Sequence, residues 1–429
     1  MFFACGMQHR RLLVLVVTAL AALLVSGCGG GDGASQEDSA EDTTTTTEDT
    51  EQATTTGDSG QAPEDALNAA LDQSFAESGA PGVVAAVQTP DYTWVETRGV
   101  ADLSSEEPMT PDVHQRIASV TKTFTGTLLL QAEADGLLSL DDTIDQYYEG
   151  IPNGDEITLR QLANMTSGIA SYTFDEQFQE QLFSDPQRIW TPEEMVQIGI
   201  EDSPVFDPGT EFQYSNTNTV LLGLVLEQVS GRPIGDLYRE RIIEPLGLQE
   251  TSFPKRDDSS LPPPQARGYT LQGQDDGEPG DTTNWNPSWE WTAGAMISTV
   301  EDLLVYGRAL GTGEGLLPPE QQAQRLDSFL GDDIPPNTAE RAYGLGFGKE
   351  SGWIGHTGTS PGYNTTVYYS PELDATMVVE TNSDIASGDC SDDNPTLADS
   401  PHDIPCEEPA KRIRGALAEA LGQPFGTEQ

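Results

Sequence analysis

The chain has 429 residues, and its 71 Asp and Glu residues against 20 Lys and Arg residues give a formal net charge of -51. This length is enough for one large domain or two small ones with a sizeable core. The charge argues against nucleic-acid binding, because most of the surface would repel phosphates.

Most of this acid belongs to the part of the chain that is expected to fold. Residues 66–429 carry a net charge of -42, whereas residues 29–65 contribute 11 acids and no base. Only four of the bases are lysines, namely Lys122, Lys255, Lys349 and Lys411. A surface rich in acid and poor in lysine is typical of proteins that work in high salt, where screening removes the self-repulsion. A soluble acidic surface without salt adaptation is the alternative.

The N-terminus resembles a bacterial-type lipoprotein signal. Two arginines precede an apolar stretch over residues 12–25 that is short for a membrane-spanning helix. The stretch ends in Val25-Ser26-Gly27-Cys28, which resembles a lipobox. We therefore expect residues 1–27 to be a cleaved signal peptide and Cys28 to be a lipidated first residue that anchors the protein to the membrane outside the cytoplasm. An ordinary signal peptide with an incidental cysteine is the alternative.

Residues 28–65 are predicted to form a disordered tether. They consist almost entirely of Gly, Thr, Ser, Gln, Asp and Glu, so they contain too few apolar groups to offset the entropy lost on ordering. The tether would hold a folded domain, residues 66–429, away from the membrane surface.

Hydrophobic periodicity predicts strands near both ends of the folded part and helices between them. The alternation of residues 82–102 predicts a β-hairpin. Predicted helices follow at 119–134, 159–165, 192–200, 219–229, 234–243 and 301–310. Short strands are predicted at 343–347, 365–369 and 375–381, and a last helix at 410–421. This order predicts an α+β fold whose antiparallel sheet is built from both ends of the chain and flanked by helices, with a mostly helical inserted region.

Two cysteines follow the predicted lipidation site. Outside the cytoplasm, Cys390 and Cys406 are expected to form a disulfide bond that staples an acidic surface insertion over residues 384–408. A calcium site is an alternative use of the acids in this segment, but their spacing does not match an EF-hand loop. The acids concerned are Asp389, Asp392 and Asp393. No metal or cofactor is predicted.

The first motif that carries chemistry is Ser119-Val120-Thr121-Lys122. At the N-terminus of a helix, this spacing places the hydroxyl of Ser119 and the amine of Lys122 on one face. The helix dipole there favours negative charge developing on the serine oxygen. A helix-capping serine and a solvated lysine are the alternatives, since a Ser-x-x-Lys match is weak when taken alone.

The second motif is Tyr214-Ser215-Asn216. A phenol beside an ammonium is expected to have a lowered pKa, which would suit Tyr214 for acid–base work. The amide of Asn216 can donate to a substrate carbonyl and accept from Lys122. Ordinary turn residues are the alternative.

The third motif, His356-Thr357-Gly358, lies between the turn glycines Gly355 and Gly362 and before the strand predicted at 365–369. A glycine at a strand edge lets a substrate backbone approach closely. A structural histidine is the alternative for His356.

The three motifs in this order resemble the serine β-lactamase and penicillin-binding protein superfamily. The branch that contains D-Ala-D-Ala carboxypeptidases, class C β-lactamases, esterases and D-aminopeptidases is the most similar. Residues 162–168, 208–216, 246–248 and 343–347 also resemble that branch, so the similarity covers about residues 66–422. The resemblance implies a β-lactamase-like fold and a serine hydrolase that works through an acyl-enzyme.

The resemblance also implies roles for individual residues. Ser119 would be the nucleophile, and Lys122 would be the proton acceptor or the electrostatic partner of Tyr214. Tyr214 would pass the proton to the leaving group, and Asn216 would orient the substrate and Lys122.

The same resemblance places the substrate carbonyl against the third motif. The backbone N–H groups of Ser119 and Thr359 would form the oxyanion hole, with Thr357 and Gly358 lining the bound substrate. Typical class C β-lactamases have lysine where His356 stands. A histidine, with an ordinary pKa near 6.5, offers a hydrogen bond more than a charge at neutral pH.

The sequence therefore predicts a carboxypeptidase, D-aminopeptidase or esterase that acts on a small-molecule or peptide substrate, and we expect a monomer. A class C-like β-lactamase is the first alternative. A penicillin-binding pseudoenzyme that has the fold without turnover is the second, and the intact set of Ser119, Lys122 and Tyr214 argues against it.

Overall fold

The structure, a computed structural model, describes residues 61–274, 277–391, 394–398 and 400–426. The predicted signal peptide, Cys28 and the predicted tether up to residue 60 lie outside these residues. Two of the three acids in the alternative calcium site, Asp392 and Asp393, also lie outside them.

The strands run mainly at the two ends of the described chain. In chain order they are β1 (Gly82–Gln88), β2 (Thr93–Asp102), β3 (Glu107–Pro108), β4 (Gln115–Arg116), β5 (Tyr269–Thr270), β6 (Gly280–Asp281), β7 (Ile297–Ser298), β8 (Arg341–Tyr343), β9 (Gly348–Glu350), β10 (Trp353–Ser360), β11 (Tyr363–Ser370) and β12 (Ala375–Thr381). Within the described residues, eight of them form one antiparallel sheet in the order β3-β2-β1-β12-β11-β10-β9-β8. Strands β1 and β12 are neighbours in this sheet, so both ends of the chain share it, as the sequence predicts.

The helices lie on both faces of this sheet and in the part of the chain that separates its N-terminal strands from its C-terminal strands. They are α1 (Gln61–Ser78), α2 (Thr121–Ala134), α3 (Leu159–Ala163), α4 (Glu176–Ser184), α5 (Pro192–Glu201), α6 (Asn216–Ser230), α7 (Ile234–Tyr238), α8 (Glu244–Leu246), α9 (Val300–Thr312), α10 (Pro319–Leu326) and α11 (Pro409–Ala420). A π-helical turn, Arg239–Ile243, joins α7 to α8. The α+β prediction is confirmed.

Local sequence explains where several helices begin and end. Thr191 caps α5 in a reciprocal capping box with Glu194, and Pro192 occupies the first turn, where its missing N–H costs nothing. Helix α6 ends at Gly231, which adopts a left-handed conformation with φ of 66°.

Two apolar layers hold the helices to the sheet. The larger layer lies between the sheet and the helical region, where Phe124 of α2 stacks on Tyr306 of α9 with ring centres 3.7 Å apart. The smaller layer lies on the opposite face of the sheet under α1 and α11. Helix α2 is buried along nearly its whole length, so the residues at its start are held in the interior of the protein.

Helix α1 corrects the predicted boundary of the tether. It begins at Gln61, so residues 61–65, which the composition suggests are part of the tether, belong to a helix. The physical reason is that Leu67 and Leu71, further along the same helix, bury against the C-terminal helix α11. The sequence pattern also did not predict α4 and α10.

The strand predicted at 343–347 is wrong in its bounds. Strand β8 ends at Tyr343 and β9 begins at Gly348, and between them the chain makes a turn in which Gly344 N–H donates to the Phe347 carbonyl at 2.8 Å. Gly346 has a φ of 79°, which a non-glycine residue rarely adopts.

The sequence predicts the third motif between two turns. In the structure, the motif forms the interior of strand β10.

A disulfide bond closes a loop inside the acidic insertion, since both cysteines lie within residues 384–408. The structure joins Cys390 and Cys406 by a disulfide bond with a Cα–Cα distance of 4.7 Å.

Among the described residues, no helix is both long enough and apolar enough to cross a bilayer.

Candidate active site

Ser119 lies in a strained turn at the entrance of α2. The short helical turn Ala118–Val120 leads directly into α2, and Ala118 has a φ of 46°. A positive φ in a residue other than glycine costs free energy and marks a backbone that its surroundings force into place. The turn places Ser119 at the N-terminal end of a helix that is otherwise buried.

Lys122 contacts Ser119 directly. Its Nζ lies 3.0 Å from the Ser119 Oγ and donates to the carbonyl oxygen of Ala293 at 2.7 Å. The side chain is 1% exposed, and this burial lowers the pKa of Lys122 to about 7, although the charge of Glu290 opposes the shift. A large fraction of Lys122 is therefore neutral near pH 7, and a neutral amine at this distance can accept the proton of the serine.

Tyr214 lies beside the same amine but does not have the pKa that the sequence suggests. The Lys122 Nζ is 4.9 Å from the centre of the Tyr214 ring. Burial raises the pKa of Tyr214 well above 10, and the neighbouring Ser119 hydroxyl only partly opposes this rise. The expectation of a lowered phenol pKa is wrong, because burial disfavours the charged phenolate. The Tyr214 hydroxyl is buried without a hydrogen-bond partner of good geometry in the described structure.

Asn216 is the first residue of α6, and it does not hold Lys122. Its backbone N–H donates to Ser171 Oγ at 3.0 Å, and its side-chain Nδ2 donates to Thr173 Oγ1 at 3.2 Å. The acceptor that we expected Asn216 to offer to Lys122 is instead the carbonyl oxygen of Ala293. The sequence could not predict this, because the residue that replaces Asn216 comes from a distant part of the chain.

His356 is a neutral hydrogen-bonding group. Its Nδ1 lies 2.6 Å from the carbonyl oxygen of Thr357, and its Nε2 lies 3.1 Å from the hydroxyl of Tyr343. A carbonyl can only accept, so Nδ1 carries the hydrogen and Nε2 accepts from Tyr343. Burial, together with repulsion by Lys122, lowers the pKa of His356 to about 3. In the sequence, Tyr343 belongs to a segment that resembles the family, but nothing in the sequence indicates its contact with His356.

The alternation of β10 divides the third motif between the two faces of the sheet. Thr357 and Thr359 point away from Ser119, since their hydroxyls contact Tyr368 at 3.3 Å and Glu408 at 3.0 Å. His356, Gly358 and Ser360 share the opposite face. The backbone of the two threonines, and not their side chains, is therefore what a substrate at Ser119 could contact.

Gly358 is required by the close approach of β10 to the nucleophile. A Cβ atom on Gly358 would lie 2.1 Å from the carbonyl oxygen of Ile117 and 3.0 Å from the backbone nitrogen of Ser119. Within the described residues, β9 pairs with β10 only from Trp353 to Gly355, so the rest of β10 has an edge without a strand partner. An open edge beside the serine leaves room for the backbone of an extended substrate.

One acidic residue of the site has no signal in the sequence. Glu290 is 6% exposed, and burial raises its pKa to about 7, with Arg116, the Ser360 hydroxyl and Lys122 opposing the rise.

Among the described residues, no group of His, Cys, Asp and Glu side chains is placed to hold a metal ion.

The comparison with known families decides the classification. The sequence profile of the Beta-lactamase family matches residues 67–399. The chain belongs to this family. The family includes more activities than its name, so membership confirms the predicted superfamily and serine-hydrolase fold without specifying a β-lactam substrate.

Curated relatives within the family share about a quarter of their residues with this chain. Protein flp of Staphylococcus aureus (strain MRSA252) is 26% identical over 298 residues, which are 66% of this chain and 56% of flp. The chain thus spans little more than half the length of that relative. Penicillin-binding protein 4* of Bacillus subtilis (strain 168) is 25% identical over 364 residues, which are 79% of this chain and 77% of the relative.

Solved structures of similar proteins include two amide hydrolases. A D-stereospecific amidohydrolase from Streptomyces sp. is 34% identical with a TM-score of 0.68, and the match covers 75% of this chain and 94% of that chain. A D-amino acid amidase from Ochrobactrum anthropi SV3 is 26% identical with a TM-score of 0.69, and the match covers 84% of this chain and 98% of that chain.

Proposed function

We propose that this family member hydrolyses an amide or ester through an acyl-enzyme on Ser119. The observation that carries the proposal is the 3.0 Å contact between Ser119 Oγ and the buried amine of Lys122. Neutral Lys122 accepts the serine proton while Oγ attacks the substrate carbonyl carbon. The tetrahedral oxyanion binds the backbone N–H groups of Ser119 and Thr359, the two donors of the proposed oxyanion hole.

The remaining residues complete the reaction in this proposal. The Tyr214 hydroxyl gives its hydrogen to the leaving group as the carbon–nitrogen or carbon–oxygen bond breaks, and Tyr214 takes in its place the proton that Lys122 accepted from Ser119. Tyr214 is therefore protonated again and Lys122 is neutral again. Water then attacks the acyl-enzyme and gives a proton to neutral Lys122, and this proton returns to Ser119 Oγ as the bond between Oγ and the acyl carbon breaks. His356 is neutral and hydrogen-bonded to Tyr343, so it orients the site without supplying a positive charge.

The charge state of the site favours one substrate class. A β-lactam or a D-Ala-D-Ala peptide carries a carboxylate, whose recognition would be helped by a cation in the place of His356. Burial disfavours the charged forms of both His356 and Lys122. We therefore infer a D-amino acid amidase or esterase type of activity in preference to a carboxypeptidase or β-lactamase. The similarity to the two D-specific amide hydrolases supports this choice.

Intact-protein mass spectrometry after incubation with a fluorophosphonate tests the nucleophile. We expect one adduct on the unaltered chain, none on Ser119→Ala, and a full adduct on Ser105→Ala, which changes an exposed turn serine. An adduct that survives Ser119→Ala would contradict the mechanism. D-phenylalanine amide, L-phenylalanine amide, a D-Ala-D-Ala peptide and a chromogenic cephalosporin should then be compared, and faster turnover of the cephalosporin would overturn the proposed substrate class.

We also propose that the protein acts outside the cytoplasm as a lipid-anchored monomer. The support is the sequence Val25-Ser26-Gly27-Cys28 after the apolar stretch. In cells that express the full chain, a radiolabelled fatty acid should enter the protein and should fail to enter Cys28→Ala. Equal labelling of both forms would remove the anchor from the proposal.

A further inference from the structure

Arg116 is a buried cation three residues before the proposed nucleophile. It lies in strand β4, which pairs with β7, and its side chain is 4% exposed. The Arg116 Nη2 donates to three backbone carbonyl oxygens, those of Ser259, Thr283 and Trp285, at 2.8, 3.3 and 3.1 Å. Both the backbone and the end of this side chain are therefore fixed in place.

The rest of the guanidinium is not paired directly. Its Nε and Nη1 atoms are buried without a hydrogen-bond partner in the described structure. None of the ion pairs found among the described residues includes Arg116. A buried charge with unsatisfied donors is unfavourable, so these N–H groups call for an acceptor close by.

A small cavity lies between Arg116 and Glu290. Its volume of about 10 Å³ is room for one water molecule. Arg116, Glu290 and Ser360 contribute polar side chains to its lining, and the side chains of Trp285 and Trp289 are among the others. A buried water needs two to four polar partners, and this lining offers N–H donors on one side and a carboxyl group on the other.

Glu290 connects this cavity to Lys122. The Glu290 carbonyl oxygen accepts from the Ala293 N–H at 2.7 Å, and the Ala293 carbonyl oxygen accepts from Lys122 Nζ at 2.7 Å. Burial raises the pKa of Glu290 to about 7, and Arg116 is the first of the groups that oppose this rise. The charged carboxylate in turn favours protonated Lys122, against the effect of burial on that amine. Arg116 therefore favours the carboxylate, and the carboxylate favours the ammonium.

We propose that one ordered water molecule joins Arg116 to Glu290 in this cavity, and that Arg116, acting through Glu290, sets the pH at which Lys122 accepts the proton of Ser119. The inference rests on the proposed Ser119 hydrolase and goes further by naming what regulates its base. Arg116 is a positioning residue in this proposal, because it acts on the reaction only through Glu290.

The other titratable groups that face Glu290 and Lys122 keep one charge state near pH 7. Burial raises the pKa of Tyr172 and of Tyr214 well above 10, so both phenols stay neutral. Burial lowers the pKa of His356, which faces Lys122, to about 3, so the imidazole is neutral as well. In this group, Glu290 and Lys122 are the residues that change charge near pH 7.

The groups that act on Arg116 also keep one charge state. Burial raises the pKa of Tyr363 to about 12, and hydrogen bonds from Ser260 hold the pKa of Asp258 below its ordinary value. A guanidinium stays protonated in proteins. Arg116 therefore presents a constant positive charge to Glu290 between about pH 5 and pH 9.

The pH dependence of fluorophosphonate labelling at Ser119 tests the role of Arg116. Arg116→Met removes the charge, so Glu290 keeps its proton to higher pH and no longer favours protonated Lys122. We expect the midpoint of the rise in labelling rate to fall by about one pH unit. A midpoint that stays the same or moves to higher pH would overturn the inference, because direct repulsion of Lys122 by Arg116 predicts the opposite shift.

A double variant tests whether Arg116 acts through Glu290. Glu290→Gln alone should also lower the midpoint, and adding Arg116→Met to it should produce no further fall, because the group that passes on the effect is already neutral. A further fall as large as that of Arg116→Met alone would show that the two residues act independently.

Arg412→Met is the matched control. Arg412 in α11 is 8% exposed, and its Nη2 also donates to backbone carbonyl oxygens, those of Ser387 and Pro405, at 2.9 and 2.6 Å. Both variants should lose stability in a thermal melt, but Arg412→Met should leave the labelling midpoint unchanged. An equal shift in both variants would assign the shift to loss of stability and overturn the role of Arg116.

A crystal structure of the unaltered protein at about 1.5 Å tests the water without any variant. One ordered water should lie within hydrogen-bond distance of an Arg116 nitrogen and a Glu290 carboxylate oxygen. A cavity without such a water would overturn the bridge. If Ser119 is labelled but Arg116→Met does not shift the midpoint, only the regulation is wrong. If Ser119 is not labelled at any pH, the hydrolase proposal fails and the regulation falls with it.

Discussion

Tyr343 donates its hydroxyl hydrogen to the Nε2 atom of His356 across 3.1 Å. With the Thr357 carbonyl oxygen 2.6 Å from Nδ1, the bond fixes both the tautomer and the plane of a buried imidazole. The Tyr343 and Tyr214 rings meet edge to face, with centres 5.9 Å apart. Tyr343 therefore connects the second and third motifs of the site.

Replacing Tyr343 by phenylalanine should impair both catalysis and folding. The change leaves the His356 Nε2 without its donor, and an unsatisfied buried acceptor costs about 1–3 kcal/mol. Because the imidazole can then rotate, we expect kcat/KM for p-nitrophenyl acetate to fall about 10-fold. Steady-state kinetics and a thermal melt on the same preparation measure both effects.

The control for this variant is Tyr238→Phe. Tyr238 is a buried tyrosine whose hydroxyl bonds to Thr125 Oγ1 at 2.7 Å, away from His356. The two variants should lose similar stability, whereas only Tyr343→Phe should lose activity. Equal activity in both variants would show that Tyr343 has a purely structural role.

The pH dependence of serine labelling should report Lys122. Its pKa is lowered to about 7, and the basic form is the neutral amine, so labelling by a fluorophosphonate should be slow below this pH and reach a plateau above it. The other titratable groups beside Lys122 do not explain this rise in the labelling rate, because the pKa of Tyr214 is far higher and that of His356 is about 3. Glu290, with a pKa of about 7, is the exception.

The variant Glu290→Gln separates the titration of Lys122 from that of Glu290. Loss of the negative charge that favours protonated Lys122 should lower the pH at which the labelling rate rises, without abolishing the rise. Labelling rates measured from about pH 5 to pH 9 would decide, and a rate that does not change across this range in the unaltered protein would exclude Lys122 as the proton acceptor.

Gly358→Ala should displace the nucleophile. The added methyl carbon would overlap the Ile117 carbonyl oxygen, which lies 2.1 Å from its position, and neither group can move without shifting a buried backbone segment. We expect kcat to fall by about 100-fold or more, because small misplacement of a reacting group is costly. The matched control is Gly415→Ala in α11, where no atom lies within 4 Å of the new carbon. Retained kcat in Gly358→Ala would show that β10 does not fix Ser119.

The sequence predicted the members of the site better than their interactions. Ser119 and Lys122 are three residues apart at a helix start, so their contact is a local consequence of helix geometry. The acceptor for Lys122 is the carbonyl oxygen of Ala293, and the acid whose charge acts on Lys122 is Glu290; both are placed by the tertiary fold and have no local signal. The phenol pKa was mispredicted for the same reason, since burial is a property of the whole core.

The sheet shows the same distinction between local and tertiary information. Strands β11 and β12 are rich in β-branched, aromatic and apolar residues, which the sequence pattern alone identifies as strands. Strand β10 contains Gly355 and Gly358, which are typical of turns in a sequence. In the structure, a Cβ on either glycine would collide with neighbouring backbone, so the glycines serve close packing and not a turn.

Added salt should stabilise the protein. The chain has 71 acids and 20 bases, so repulsion among acids exceeds the attraction available from ion pairs. The surface pair between Arg232 and Glu240 and others like it will weaken in salt, but such exposed pairs contribute about 0–1 kcal/mol each. Because the Debye length falls from about 10 Å at 0.1 M to about 3 Å at 1 M, screening should relieve the repulsion.

A thermal melt in KCl measures this balance. We expect Tm to rise by about 5 °C or more between about 0.1 M and 2 M KCl, which corresponds to a few kcal/mol for a domain of this size. Sucrose at matched osmolality controls for general exclusion of solute from the surface and should raise Tm less. A Tm that stays constant or falls in KCl would indicate that ion pairs, and not acid repulsion, dominate the surface.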